Sequence, residues 1–168
     1  AGAEIELHDL EEANDEKFNY LAEGIEKIRD DYDYIFIDCP PSLGLLTINA
    51  LTASTGVIVP IQGEYYALEG LTQLIDTINI VKKKLNPSIG ILGVVLTMFD
   101  QRTQLTRQVK QEVDNYFGDK VFKTVIPRNV RLAEAPSHGL AISDYDAKSK
   151  GGKAYEALTK EFIQRTKE

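Results

Sequence analysis

The sequence predicts an α/β fold, a mostly parallel sheet covered by helices on both faces, and three observations predict it. Segments of helical period alternate with short apolar runs along the chain. Those runs are hydrophobic at consecutive rather than alternate positions, which is the pattern of strands buried on both faces. Turn-forming and polar residues follow the runs, so each strand is punctuated where a parallel sheet leads into a crossover. No repeat, low-complexity tract or Pro/Gly/Ser linker interrupts the 168 residues, and residues 1–168 read as a single domain.

Taken in order, Asn14 or Asp15 can cap a helix that carries Phe18, Leu21, Ala22, Ile25 and Ile28 at three- and four-residue intervals. The run over 34–38 predicts a doubly buried strand, stopped by Pro40 and Pro41 because neither donates to a ladder. A helix over 43–53 leads to a second strand over 56–61. The long helix over 67–85 lines up Leu68, Leu71, Leu74, Ile75, Ile78 and Val81, and Asn86-Pro87 ends it. A strand over 89–98, a helix over 104–117 and a strand over 121–126 follow. A last helix over 152–165 carries Tyr155, Leu158, Phe162 and Ile163. Each large side chain buried in such a core contributes about 1.5–3 kcal/mol.

Composition narrows the function classes. At 43% hydrophobic and 27% charged residues, the chain suits a globular fold rather than disorder. No apolar run approaches the roughly 20 residues of a membrane span, and residues 1–4 lack a signal-peptide pattern, so a cytoplasmic protein is expected. The single Cys39 excludes an internal disulfide and a multi-cysteine metal cage from this chain. The net charge of −7 is uneven: residues 1–38 hold 13 acidic and 3 basic groups, residues 101–168 hold 9 acidic and 13 basic. A basic later half suits an anionic partner if its cations share a face, and suits an ordinary solvated surface equally well.

In open α/β sheets ligands bind beyond the carboxyl ends of the strands. That directs attention to 38–41, 60–63, 97–100 and 127–129. Asp38, an acid ending an apolar run, fits either a turn cap or a hard oxygen ligand for Mg²⁺ beside phosphates. Cys39 reads as a small buried residue, since no His lies near it in sequence. His8 and His138 show no metal-ligand spacing and read as surface or turn residues. The cluster Lys150, Gly151, Gly152, Lys153 follows no apolar strand and reads as a turn before the last helix.

Four blocks in order carry a resemblance: YDYIFIDCPPSLGLLTINA over 32–50, EYYALEG over 64–70, LTMFD over 96–100, and VIPRNVRLAEAPSHG over 125–139. Together they resemble the ParA/Soj chromosome-partitioning ATPases, P-loop NTPases with a deviant Walker A loop. The glycine-rich loop KGGxGKT of that family, and any GxxxxGK[ST], are absent from the 168 residues. The resemblance therefore implies the later part of such a domain, with the N-terminal strand and P-loop missing. It implies that Asp38 is the Walker B acid, holding Mg²⁺ through water, and that Met98, Pro127 and Asn129 form the adenine side. Residues 64–70 would border the nucleotide in an ATP-held homodimer, where Tyr65 and Tyr66 face either a partner subunit or the core.

Arg102, Arg107, Arg128 and Arg131, joined by Lys120 and Lys123, would contact DNA without sequence preference. ATP and Mg²⁺ are the cofactors implied for the intact protein, neither held tightly by this chain, and hydrolysis by the chain alone is not expected. A ParB-like partner protein and a nucleoid-associated location complete the expectation. The alternative is a non-enzymatic DNA- or protein-binding module built on the same fold. A MinD-like membrane role is disfavoured by the polar tail over 158–168, and an iron–sulfur role by the lone cysteine.

Overall fold

The computed structural model describes residues 15–40, 42–64 and 67–167. The expectations placed on His8, Asn14, Pro41, Tyr65 and Tyr66 lie outside these residues. A 3-10 turn, Asp15–Phe18, leads into helix α1 (Tyr20–Glu26), followed by α2 (Leu45–Ala53), strand β1 (Val57–Gln62) and α3 (Ala67–Lys84). Strand β2 (Ile91–Thr97) and helices α4 (Gln104–Phe117), α5 (Val130–Glu134), α6 (Ile142–Asp146) and α7 (Lys150–Thr166) complete the order. β1 and β2 pair directly. The Val57 amide donates to the Gly90 carbonyl at 2.9 Å, and the Thr97 hydroxyl lies 3.5 Å from the Ile61 carbonyl. Both strands therefore run the same way, which demands a crossover, and the 18 residues of α3 supply it. The fold is α/β with a parallel pairing.

Contacts divide the chain into two compact units, one of residues 1–57 and 70–91, the other of residues 58–69 and 92–168. In the first, Phe18, Ile48, Leu51, Ile78, Val81 and Ile89 form the core, with Val57, Leu74 and Ile91 packed against it. Five consecutive residues of α2, from Thr47 to Leu51, are buried, so the helix has no solvent stripe in its middle. Its polar members are satisfied: the Thr47 hydroxyl donates to the Ser42 carbonyl at 2.6 Å, and Asn49 donates to the Lys17 and Leu45 carbonyls, both at 3.0 Å. Asn86 does the same at the other end of α2. Its Nδ2 donates to the carbonyls of Leu51, Thr52 and Ser54 at 3.1, 3.0 and 2.7 Å, and its Oδ1 accepts from the Ser88 hydroxyl at 2.7 Å. One side chain thus serves three carbonyls at a helix end, of which that of Leu51 also accepts the Ser54 amide at 3.4 Å.

The segment 34–38 departs from expectation. It carries no ladder among the described residues, and Tyr34, Ile35 and Phe36 are 40%, 38% and 71% exposed. Consecutive apolar residues report what a strand would bury; only a paired neighbour makes it a strand, and β1 and β2 pair with each other. Cys39 is accordingly exposed rather than buried.

In the second unit, β2 is buried on both faces as its pattern predicts, with Gly93, Val94, Val95 and Leu96 all shielded. β1 is not. Val59 and Ile61 are buried while Pro60 and Gln62 are exposed, so only one of its faces is covered there. Pro60 has no amide to offer a further strand, and its placement on an open position removes that conflict.

The stretch 121–127 runs parallel to β2 through isolated bridges, Val94 with Val121 and Phe99 with Pro127, instead of the continuous strand expected over 121–126. The reason lies in α7. The amides of Lys123 and Thr124 donate to the Glu161 carboxylate at 2.8 and 2.9 Å, and so leave the ladder. Arg165 lies 4.3 Å over the Phe122 ring and donates to the Val121 carbonyl at 2.7 Å and to Glu161 at 2.8 Å. Val95, Phe122 and Ile126 form the core here, with Leu132, Leu158 and Phe162 against it.

The glycine pair 151–152 forms the first turn of α7 and not a preceding turn. Ser149 caps that turn by accepting from the Gly152 amide at 3.0 Å. A Cβ on Gly152 would stand 2.6 Å from the Asp146 carbonyl oxygen, so glycine is required by close approach of backbone. Among the described residues no helix is long and apolar enough to cross a membrane.

Candidate functional site

The carboxyl end of β2 gathers most of the residues singled out in the sequence. Thr97 ends the strand, and Met98 turns the chain with φ 53°, the only non-glycine residue in the left-handed region among those described. Its side chain stands out, with the residue 44% exposed. Phe99 returns to the core. Its amide donates to the Ile126 carbonyl at 3.0 Å, and its carbonyl accepts from the Arg128 amide at 3.4 Å. Met98, Pro127, Arg128 and Asn129 therefore share one strand end. Asn129 caps α5: its Oδ1 accepts from the Arg131 amide at 2.9 Å, while its Nδ2 makes no hydrogen bond among the described residues.

The four arginines are of two kinds. Arg102 is clamped to Asp100, with Nε donating to Oδ1 at 3.0 Å, Nη2 to Oδ2 at 2.7 Å, and its own amide to Oδ1 at 3.1 Å. Hydrogen bonds from Arg102, helped by the charges of Arg102 and Arg128, lower the Asp100 carboxyl to about 2. Arg131 donates from Nη1 to Glu134 at 2.8 Å and approaches Asp146 at 3.5 Å. The Tyr145 hydroxyl also donates to Glu134, at 3.2 Å, and His138 stacks on the Tyr145 ring at 5.0 Å. The Arg131 hydrogen bond, more than any other contact, holds the Glu134 carboxyl below its usual range. Arg107 and Arg128 are exposed and form no ion pair among the described residues. Lys120 and Lys123 are also exposed.

Asp38 belongs to the first unit and lies on the exposed stretch after Ile37. Its neighbour Cys39 has a thiol held above the ordinary range, first by the partial burial of the sulfur and then by the Asp38 charge. Among the described residues no three His, Cys, Asp or Glu side chains are grouped to hold a metal ion. Asp38 can therefore meet one side of a hydrated cation but does not close a metal site.

Residues 1–91 match a family model described as an AAA domain. Over 161 residues the chain is 58% identical to sporulation initiation inhibitor protein Soj of Bacillus subtilis (strain 168), covering 96% of this chain and 62% of that protein. Over 165 residues it is 50% identical to chromosome-partitioning ATPase Soj of Treponema pallidum (strain Nichols), covering 98% of this chain and 64% of that one. The chain belongs to the ParA/Soj family. It spans less than two thirds of the length of these relatives. Among solved structures it is similar to cobyrinic acid a,c-diamide synthase from Mycobacterium smegmatis with bound ADP and magnesium. The TM-score is 0.73 at 33% identity, over 95% of this chain and 58% of that one.

In this ParA/Soj chain, sequence reasoning passed over the acids that hold the arginines. Glu134 stands three residues from Arg131 on one helix, a spacing that brings side chains together, and so was open to discovery. Asp100 and Asp146 were not, because a loop turn and a second helix bring them into reach.

Proposed function

We propose that this chain is the base-recognising and DNA-facing portion of a ParA/Soj-type ATPase. In that reading the ATPase segregates chromosome or plasmid DNA through ATP-dependent dimerisation and non-specific DNA binding. One observation carries the proposal: the pairing of Phe99 with Pro127, which gathers Met98, Pro127 and Asn129 at one strand end. A thioether and a proline ring suit the faces of a flat purine. The Nδ2 of Asn129 suits an acceptor on its edge, since its Oδ1 is already engaged. Backbone held in a sparsely populated conformation, as at Met98, is a recurrent mark of ligand sites.

One of the relatives is named as a chromosome-partitioning ATPase, and the similar synthase was crystallised with ADP and magnesium, which supports nucleotide as the ligand. Asp38 is the magnesium-side carboxylate, acting through water. The triphosphate needs a cradle of amides and a lysine that these 168 residues do not contain. Losing one such donor costs about 2.7–4 kcal/mol of transition-state stabilisation, so the chain alone does not hydrolyse ATP. A second copy, a ParB-like protein and DNA are the partners in the intact protein, which works in the cytoplasm at the nucleoid.

The test is an NMR titration of the chain with adenosine and, separately, with inorganic tripolyphosphate. Adenosine should shift Met98 and Asn129, tripolyphosphate should not, and Asn129→Ala should weaken adenosine about fivefold, the worth of one hydrogen bond. Turnover of Mg·ATP by the chain alone, or adenosine shifts confined to other residues, would overturn the reading. Tight DNA binding with no adenosine response would favour the non-enzymatic module.

A further inference from the structure

Two of the four arginines assigned to DNA reach the surface already paired with acids, and among the described residues two do not. Arg102 is 89% exposed at its side chain, yet three of its N–H groups, counting the amide, point into the Asp100 carboxylate. This forked pairing is the geometry in which a guanidinium also grips a phosphate, so the same donors cannot serve both at once. Arg128 also acts on Asp100 through its charge. At the second place Glu134 and Asp146 flank Arg131, and Tyr145 fixes Glu134 by donating to it.

We propose that Asp100 and Glu134 are built-in competitors for the phosphates of a nucleic-acid backbone, holding Arg102 and Arg131 in a neutralised state that the polyanion must displace. The inference rests on the DNA-facing reading above and deepens it to regulation of that surface. A paired arginine adds almost no net charge to the footprint, so Arg107 and Arg128 make the first encounter. Arg102 and Arg131 join only when phosphate outcompetes a carboxylate held at 2.7–2.8 Å. The Asp100 carboxyl titrates at about 2, so the clamp is intact at neutral pH and is not released by mild acid.

The design has a counterintuitive consequence, because removing an acid should strengthen binding. Exposed pairs are worth little each, so Asp100→Asn and Glu134→Gln should each tighten binding by about two- to fivefold. The salt dependence should steepen by up to roughly one unit in the log–log slope as one more arginine becomes free to displace counterions. The experiment measures binding of the full chain to a short double-stranded oligonucleotide of arbitrary sequence, at several salt concentrations. It compares the wild-type chain, Asp100→Asn, Glu134→Gln and Arg107→Ala/Arg128→Ala. Thermal melts confirm that each variant folds, and either acid variant alone suffices if the other does not.

Tighter and steeper binding in an acid variant, including binding that appears only there, supports the proposal. If the acid variants bind like wild type while Arg107→Ala/Arg128→Ala weakens binding, the surface is correctly placed and the competition is wrong. If the arginine changes have no effect on binding, the DNA-facing reading fails and this inference fails with it.

Discussion

Replacing Asn86 with Ala should be among the most destabilising single changes open to this chain, although the residue touches no candidate ligand. Asn86 is 9% exposed, and its two amide hydrogens serve three carbonyls, those of Leu51, Thr52 and Ser54, so one bond is shared. On its other side, Oδ1 accepts from both the amide and the hydroxyl of Ser88, at 3.2 and 2.7 Å. A protein hydrogen bond contributes about 1 kcal/mol net, and a buried group left without a partner costs about 1–3 kcal/mol. Water can reach Ser88, which is exposed, but not readily the α2 carbonyls beside the buried Leu51. The expected loss is therefore about 2–4 kcal/mol, a large share of the 5–15 kcal/mol typical of a whole domain.

Urea denaturation at constant m-value reads this directly, and a thermal melt should drop by roughly 5–15 °C for a chain of this size. Asn86→Asp separates the donors from the shape. It keeps the acceptor toward Ser88 but turns an oxygen toward three carbonyls, so it should be at least as damaging as Ala. A loss below about 0.5 kcal/mol for Ala, or an Asp variant close to wild type, would refute the claim that this amide holds the end of α2.

Two further substitutions probe the second unit. Gly152→Ala should destabilise by about 1–3 kcal/mol in denaturant, although alanine is the better helix former, because the added carbon meets the Asp146 and Ala147 backbone at 2.6 and 2.7 Å. Burial pushes the Glu161 carboxyl up, but the Lys123 and Thr124 amides and Arg165 outweigh it, and the net shift is downward. A lowered folded value means that the contribution is present above the unfolded carboxyl range, near pH 4.3, and is lost as pH falls through the folded value. Glu161→Gln should therefore be less stable than wild type at pH 7, with the gap closing in denaturation curves taken below about pH 4.

The sequence was most legible where side-chain period alone decides the outcome. The helix over 104–117 appears with those bounds, and those over 67–85 and 43–53 differ by one or two residues at an end. β2 is shielded throughout its centre because the apolar run gives each face something to bury. Pairing was less legible. Residues 34–38 and 121–126 have the composition of strands, but a ladder depends on a neighbour, and at Lys123 and Thr124 a glutamate from a helix 38 and 37 residues later takes the amides instead. The candidate site divides in the same way. The strand-end placement of Met98, Pro127 and Asn129 follows from where apolar runs stop, whereas the φ of Met98 and the acids beside Arg102 and Arg131 depend on how loops fold back.

The left-handed backbone at Met98 sets stability and shape against each other. An L-residue held there carries roughly 1–2 kcal/mol of conformational penalty that glycine would escape. A glycine at 98 would thus make a sturdier chain with a flatter, less grasping lip, while methionine keeps a pliable sulfur-bearing finger raised beside Pro127. Selection for robustness alone would erase that finger.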